Sequence, residues 1–128
     1  MATWADVRRL ALALPHAAEH GSGEPSWKVA DKLFAWDRPL RRSDLAALGA
    51  AAPPGEILAV RVPDLGAKAA LLAEGRPFFT TRHFDGYPAV LVVLADLDVA
   101  VLAERLEEAR LARASKRVAA AYLAGRST

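Results

Sequence analysis

Three residues of this chain stand at a spacing that zinc hydrolases use: His16, Glu19 and His20, in the run His16-Ala17-Ala18-Glu19-His20. In that chemistry both histidines bind the metal from one face of a helix, and the glutamate activates a bound water. The flanks argue against it here. Pro15 precedes the run and Gly21-Ser22-Gly23 follows it, so the segment is too short for a stable helix. We read it as a chance match in a polar turn. Nucleophilic catalysis has no better footing. The chain has no cysteine, and Ser22, Ser26, Ser43 and Ser115 fall in turns or at helix ends. His83 has Arg82 and Asp85 as neighbours, and an imidazole beside a carboxylate can act as a base. A histidine in a surface turn is the plainer reading. The sequence therefore assigns no catalytic residue, no metal and no cofactor.

The basic and aromatic residues offer a different chemistry, that of recognition. Lys28 and Lys32 flank one turn, Arg82 and His83 sit near another, Arg38, Arg41 and Arg42 follow the first hairpin, and Lys116-Arg117 lie close to the end of the last helix. Trp27, Trp36, Phe84 and Tyr87 are interleaved with them. If the two turns project together, the cations form a ridge for phosphates, with binding that weakens steeply with salt. The net charge of +2, from 17 basic and 15 acidic residues, is a weak bias for such a surface. An alternative use of the same residues is a cleft for a small ligand or a protein partner. It would lie between the sheet and the last helix, near Trp27, Trp36 and Tyr87.

The elements that position these residues are readable from pattern. Thr3 caps a first helix, with Asp6 three residues on, an apolar face of Trp4, Val7, Leu10, Ala11 and Leu14, and a stop at Pro15. Residues 16–25 read as a short strand and turn. Trp27 and Val29 alternate with Lys28 and Ala30, Ala30-Asp31-Lys32 turns, and residues 33–36 return, which makes a hairpin. A second helix is expected from Ser43 to a stop at Gly49, then a loop through Pro53-Pro54. Residues 57–62 form a strand, Pro63-Asp64 opens a third helix over 65–74, and Gly75 and Pro77 end it. Residues 78–84 and 89–94 are expected to pair as a second hairpin around Asp85-Gly86-Tyr87-Pro88. Asp96 or Asp98 starts a last helix reaching about Ser115, with a short helical tail over 118–123.

Tight turns between most strands imply a largely antiparallel sheet. The fold class is α+β, a single two-layer domain over residues 1–128 with helices packed on the sheet. No uncharged run approaches the roughly 20 residues of a membrane span, and the charged N-terminal stretch does not read as a signal peptide. A cytoplasmic protein is the expectation.

Taken together, these segments resemble the MmcQ/YjbR family of small bacterial proteins. The resemblance runs through Leu14-Pro15, Trp27-Lys28-Val29, Lys32-Leu33-Phe34-Ala35 and Pro77-Phe78. It continues through Phe84-Asp85-Gly86-Tyr87-Pro88, Val90-Leu91-Val92-Val93-Leu94 and Ala114-Ser115-Lys116-Arg117. It covers nearly the whole chain. Arg82-His83-Phe84 departs from the lysine and tryptophan often seen there. The resemblance implies a "double wing" domain, DNA binding, and no catalytic residues. With the basic residues named above, the expectation is a non-enzymatic binding protein contacting DNA through Lys28, Lys32, Arg82, His83, Lys116 and Arg117, as a monomer or a homodimer.

Overall fold

A computed structural model describes residues 1–21 and 23–114. The first helix, α1 (Trp4–Ala13), starts as its sequence dictates. The Thr3 hydroxyl accepts from the Asp6 amide, and the Asp6 carboxylate accepts from the Thr3 amide at 2.9 Å. This reciprocal pair satisfies two amides that a helix start would leave open. Thr3→Ala is expected to lower stability by about 1 kcal/mol in urea unfolding. A change below a few tenths would show that the cap is redundant.

The strands β1 (Ala17–His20), β2 (Ser26–Val29), β3 (Lys32–Asp37), β4 (Ile57–Arg61), β5 (Phe78–Phe79) and β6 (Ala89–Val93) form one antiparallel sheet in the order β1-β2-β3-β4-β6-β5. The turn between β2 and β3 places both Ala30 and Asp31 at positive φ, 50° and 62°. That handedness matches the twist of the paired strands. One irregularity decides which residues of β3 share a face. Trp27 pairs with Ala35, yet Lys28 pairs with Leu33, so β3 carries an extra residue at Phe34. The bulge puts Phe34 and Ala35 together on one face, and leaves Leu33 and Trp36 for the other.

Helices α1, α3 (Leu65–Glu74) and α4 (Val99–Arg113) cover the first face. Its core runs from Val7 and Ala11 of α1 through Trp27, Phe34, Val60 and Val92 to Leu102 and Leu106 of α4. α4 begins at Asp98, whose carboxylate accepts from the Ala100 amide at 2.8 Å. α3 begins at Asp64 and ends at Gly75, as the sequence indicates. The second face has a thinner cover. There Ile57, Ala59, Leu91 and Val93 pack beneath Phe84, Trp36, Leu40 and Phe79. The short helix α2 (Arg42–Leu48) lies on this side, against a single 3-10 turn over Arg82–Phe84. The element order is the expected one, and the domain is α+β.

Two local expectations are corrected. α2 takes Arg41 as its cap residue, with Ser43 already inside the helix, because the Asp44 carboxylate accepts the Arg41 amide at 2.8 Å. The second hairpin is not a continuous one. β5 is two residues long, and the chain leaves the sheet for the 3-10 turn before it returns as β6. The reason is Phe84, which is buried over the second face and needs a loop, not a strand, to reach it.

Candidate functional site

Because its cover is thin, the second face holds a cleft of about 570 Å³ over β2 and β3. That volume falls within the range of small-ligand sites. Strand pairing brings the β-residues of its wall together. Ser26 stands opposite Trp36, and Lys28 opposite Leu33, on the same side of the sheet. The other wall is the 82–87 loop, which contributes His83, Phe84 and Tyr87. Glu24, Arg38 and Arg41 close one end, with Asp37 at the rim. Asp37 pairs with Leu58, a residue of the helix-side core. One carboxylate oxygen of Asp37 is buried and has no hydrogen-bond partner among the described residues. Burial, and then the nearby Glu56 and Glu24 carboxylates, raise its pKa above the ordinary aspartate value.

The floor is aromatic and rigidly held. Ring centroids of Trp36 and Phe84 are 6.3 Å apart, those of Phe84 and Tyr87 6.0 Å, and His83 stands edge-on to Phe84 at 5.2 Å. Two guanidiniums back these rings, Arg38 at 5.4 Å from Phe84 and Arg61 at 4.7 Å from Tyr87. Behind the loop, the buried Lys68 of α3 donates its ammonium to the carbonyls of Phe84 and Tyr87, the latter at 2.8 Å. Burial lowers the pKa of Lys68, and the neighbouring Asp85 acts in the opposite direction. Beneath the other end, Arg38 and Asp44 form an ion pair at 3.0 Å with side chains only 9% and 3% exposed. Burial pushes the Asp44 carboxyl up, but the Arg41 amide and the Arg38 guanidinium outweigh it and hold it below the ordinary aspartate value. The charge at the mouth is mostly matched as well, since Arg41 pairs with Glu24 at 3.4 Å.

The residues singled out in the sequence are distributed unevenly over this geometry. Lys28, His83, Trp36 and Tyr87 meet at the cleft. Lys32 is exposed at the start of β3 beside the turn, and Arg82 lines a separate concavity with Ser43, Asp44 and Ala47. Lys116 and Arg117 lie outside the described residues. The expected cleft between sheet and last helix is corrected: the cleft lies on the opposite face from α4, and Trp27 does not reach it. Trp27 is 1% exposed, stacks on Trp4 at 6.2 Å, and donates its indole N–H to Glu19 at 3.0 Å. The physical cause is register. Trp27 pairs with Ala35 on the helix side, whereas the bulge sends Trp36 to the other.

The His16 to His20 run is a turn and a strand, not a helix. His16 sits at φ 64°, and Glu19 is held by Arg8 at 2.8 Å as well as by Trp27. Its carboxyl is accordingly below the ordinary glutamate range, with the Arg8 hydrogen bond the largest cause. Sequence reasoning missed Lys68, Asp44 and Arg61 as supports of the site, and read Arg38 only as one cation of the ridge. Lys68 carries one weak signal, a lone lysine in the alanine- and leucine-rich stretch of α3. No helix of the described residues is long and apolar enough to cross a membrane.

No family model matches the chain. Over 128 residues it is 51% identical to the uncharacterized protein Rv2570 of Mycobacterium tuberculosis, covering 97% of this chain and 98% of that protein. The same figures hold for the uncharacterized protein Mb2600 of Mycobacterium bovis. In fold it is similar to the crystal structure of Deinococcus radiodurans protein DR2400, a DUF419 domain. The TM-score is 0.61 at 19% sequence identity, over 87% of this chain and 78% of the other. This likeness is one of fold, that of the MmcQ/YjbR type.

Proposed function

The chain belongs to the family of the mycobacterial proteins Rv2570 and Mb2600, and we propose that it is a binding protein of the MmcQ/YjbR type that holds a small planar ligand in the cleft over Trp36, Phe84 and Tyr87. One observation carries this reading. Three aromatic rings, two of them backed by guanidiniums and the loop between them pinned by a buried lysine, are assembled on an otherwise thinly covered sheet face. Aromatic floors with a few placed polar groups are what small-ligand sites use. Four of the cations expected to make a DNA-binding ridge, Lys28, His83, Lys32 and Arg82, are spread over the cleft, the hairpin and a second concavity.

The test is a panel of planar aromatic compounds, titrated against the intact protein and followed by tryptophan fluorescence and calorimetry. Trp36 is half-buried at the cleft, while Trp27 is sealed in the core. Stacking is expected to alter Trp36 emission, and Trp36→Ala is expected to weaken binding by about tenfold or more. Labelled duplex DNA is titrated in parallel across a salt series. Binding that falls linearly in log salt and disappears in Lys28→Ala/Lys32→Ala/Arg82→Ala, with no cleft ligand found, would move the function to the hairpins.

A further inference from the structure

Resting on the reading of this cleft as a small-ligand site, we propose that the ligand is a planar aromatic anion, its ring stacked on Trp36 and its carboxylate or phosphate held by Lys28. Most charges of the cleft wall have partners. Arg38 is matched by the buried Asp44 and lies over the Phe84 ring. Arg41 is matched by Glu24 at 3.4 Å. Asp37 also lines the cleft, and the charges that act on it are those of Glu56, Glu24 and Arg41, not Lys28. Lys28 is left. It is half-buried, lines the cleft, and has no hydrogen bond or ion pair among the described residues. Its place in the register, opposite Leu33 and two residues from Ser26, puts it on the strand wall of the cleft. The ammonium is thereby available to an incoming group, with the Ser26 hydroxyl on the same wall and the His83 imidazole on the facing one.

An unmatched cation in a partly apolar cleft attracts an anion more strongly than the same cation in open water. The aromatic floor sets the other half of the ligand, since stacking asks for a flat ring of comparable size. A nucleoside monophosphate and an aryl carboxylate both present this chemistry. The matched carboxylate and guanidinium pairs around Lys28 limit the site to a single anionic group.

The experiment uses two pairs of probes that differ in charge: adenosine monophosphate against adenosine, and 1-naphthoate against 1-naphthamide. Each is titrated by calorimetry into the intact protein and into Lys28→Met, which keeps the length of the apolar stem. The charged member of at least one pair is expected to bind about tenfold tighter. Lys28→Met is expected to erase that difference while leaving the neutral member unchanged. Preference for adenosine monophosphate points to a nucleotide, and preference for 1-naphthoate to an aryl acid; either result supports the proposal. Equal or tighter binding of the neutral members overturns it. So does binding of other planar compounds that depends on Trp36 but not on charge, a result that leaves the cleft reading intact. If no compound binds in a Trp36-dependent way, the cleft reading itself has failed.

Discussion

Asp44→Ala is expected to lower the unfolding midpoint by roughly 10–20 °C, through a loss of about 3–5 kcal/mol. The carboxylate is almost fully buried and is the partner of the equally buried Arg38 guanidinium at 3.0 Å. Deleting it leaves a cation enclosed without its counter-charge, and desolvated charge is far more costly than a lost contact. It also removes the acceptor of the Arg41 amide at the start of α2. The double variant Arg38→Met/Asp44→Leu, in which neither charge remains, is expected to recover most of the loss. The effect should depend on pH in a defined direction. Because the folded carboxyl titrates below its ordinary value, its contribution is fully present above the unfolded aspartate pKa near ~3.9. It is lost as pH falls through the lower folded value. The gap between parent and Asp44→Ala should therefore close on acidification. A gap of less than about 1 kcal/mol at neutral pH, measured by urea unfolding, would show that water reaches the pair.

Lys68→Met comes next in expected size. The variant keeps the aliphatic stem but takes away the donor to the carbonyls of Phe84 and Tyr87. Hydrogen bonds from a charged group are worth about 1.5–3 kcal/mol each, so a total near 3 kcal/mol is expected. Bringing the ammonium inside has its own cost, visible in the lowering of its pKa by burial. The two carbonyls are what offset it. Lys68 touches no surface of the cleft, yet it fixes the loop that carries two of the three rings. Affinity for a stacking ligand should accordingly fall by about tenfold or more in Lys68→Met, together with the loss of stability. Full affinity alongside full stability would mean that the loop holds its shape through Phe84 packing alone. A variant that is destabilised but binds normally would separate the two roles.

The local chemistry of the chain was sufficient for its element order. Thr3 with Asp6, Asp64 with Gly75, and the apolar spacing of Val7, Leu10 and Ala11 act within one or two helical turns, so each is visible in a short window. The period of two over residues 27–29 and the continuous apolar run over 57–60 likewise announce strands without reference to the rest of the molecule. The resemblance to MmcQ/YjbR proteins pointed to the α+β architecture that the DR2400 fold shares.

The site is a different matter. Periodicity states that a strand has two faces but not which one the helices will cover. Trp27 and Trp36 look equivalent in the sequence. Pairing with Ala35 buries Trp27 on the helix side, and the extra residue at Phe34 places Trp36 at the cleft. The roles of Lys68 and Asp44 are equally invisible locally. Lys68 reaches carbonyls 16 and 19 residues away in the chain, and the Arg38–Asp44 pair owes its strength to being enclosed. Capping and alternation belong to neighbouring residues, and sequence alone determined them. Sheet register, burial of charge and the facing of a side chain depend on segments far apart in the chain, and only the tertiary structure decided those.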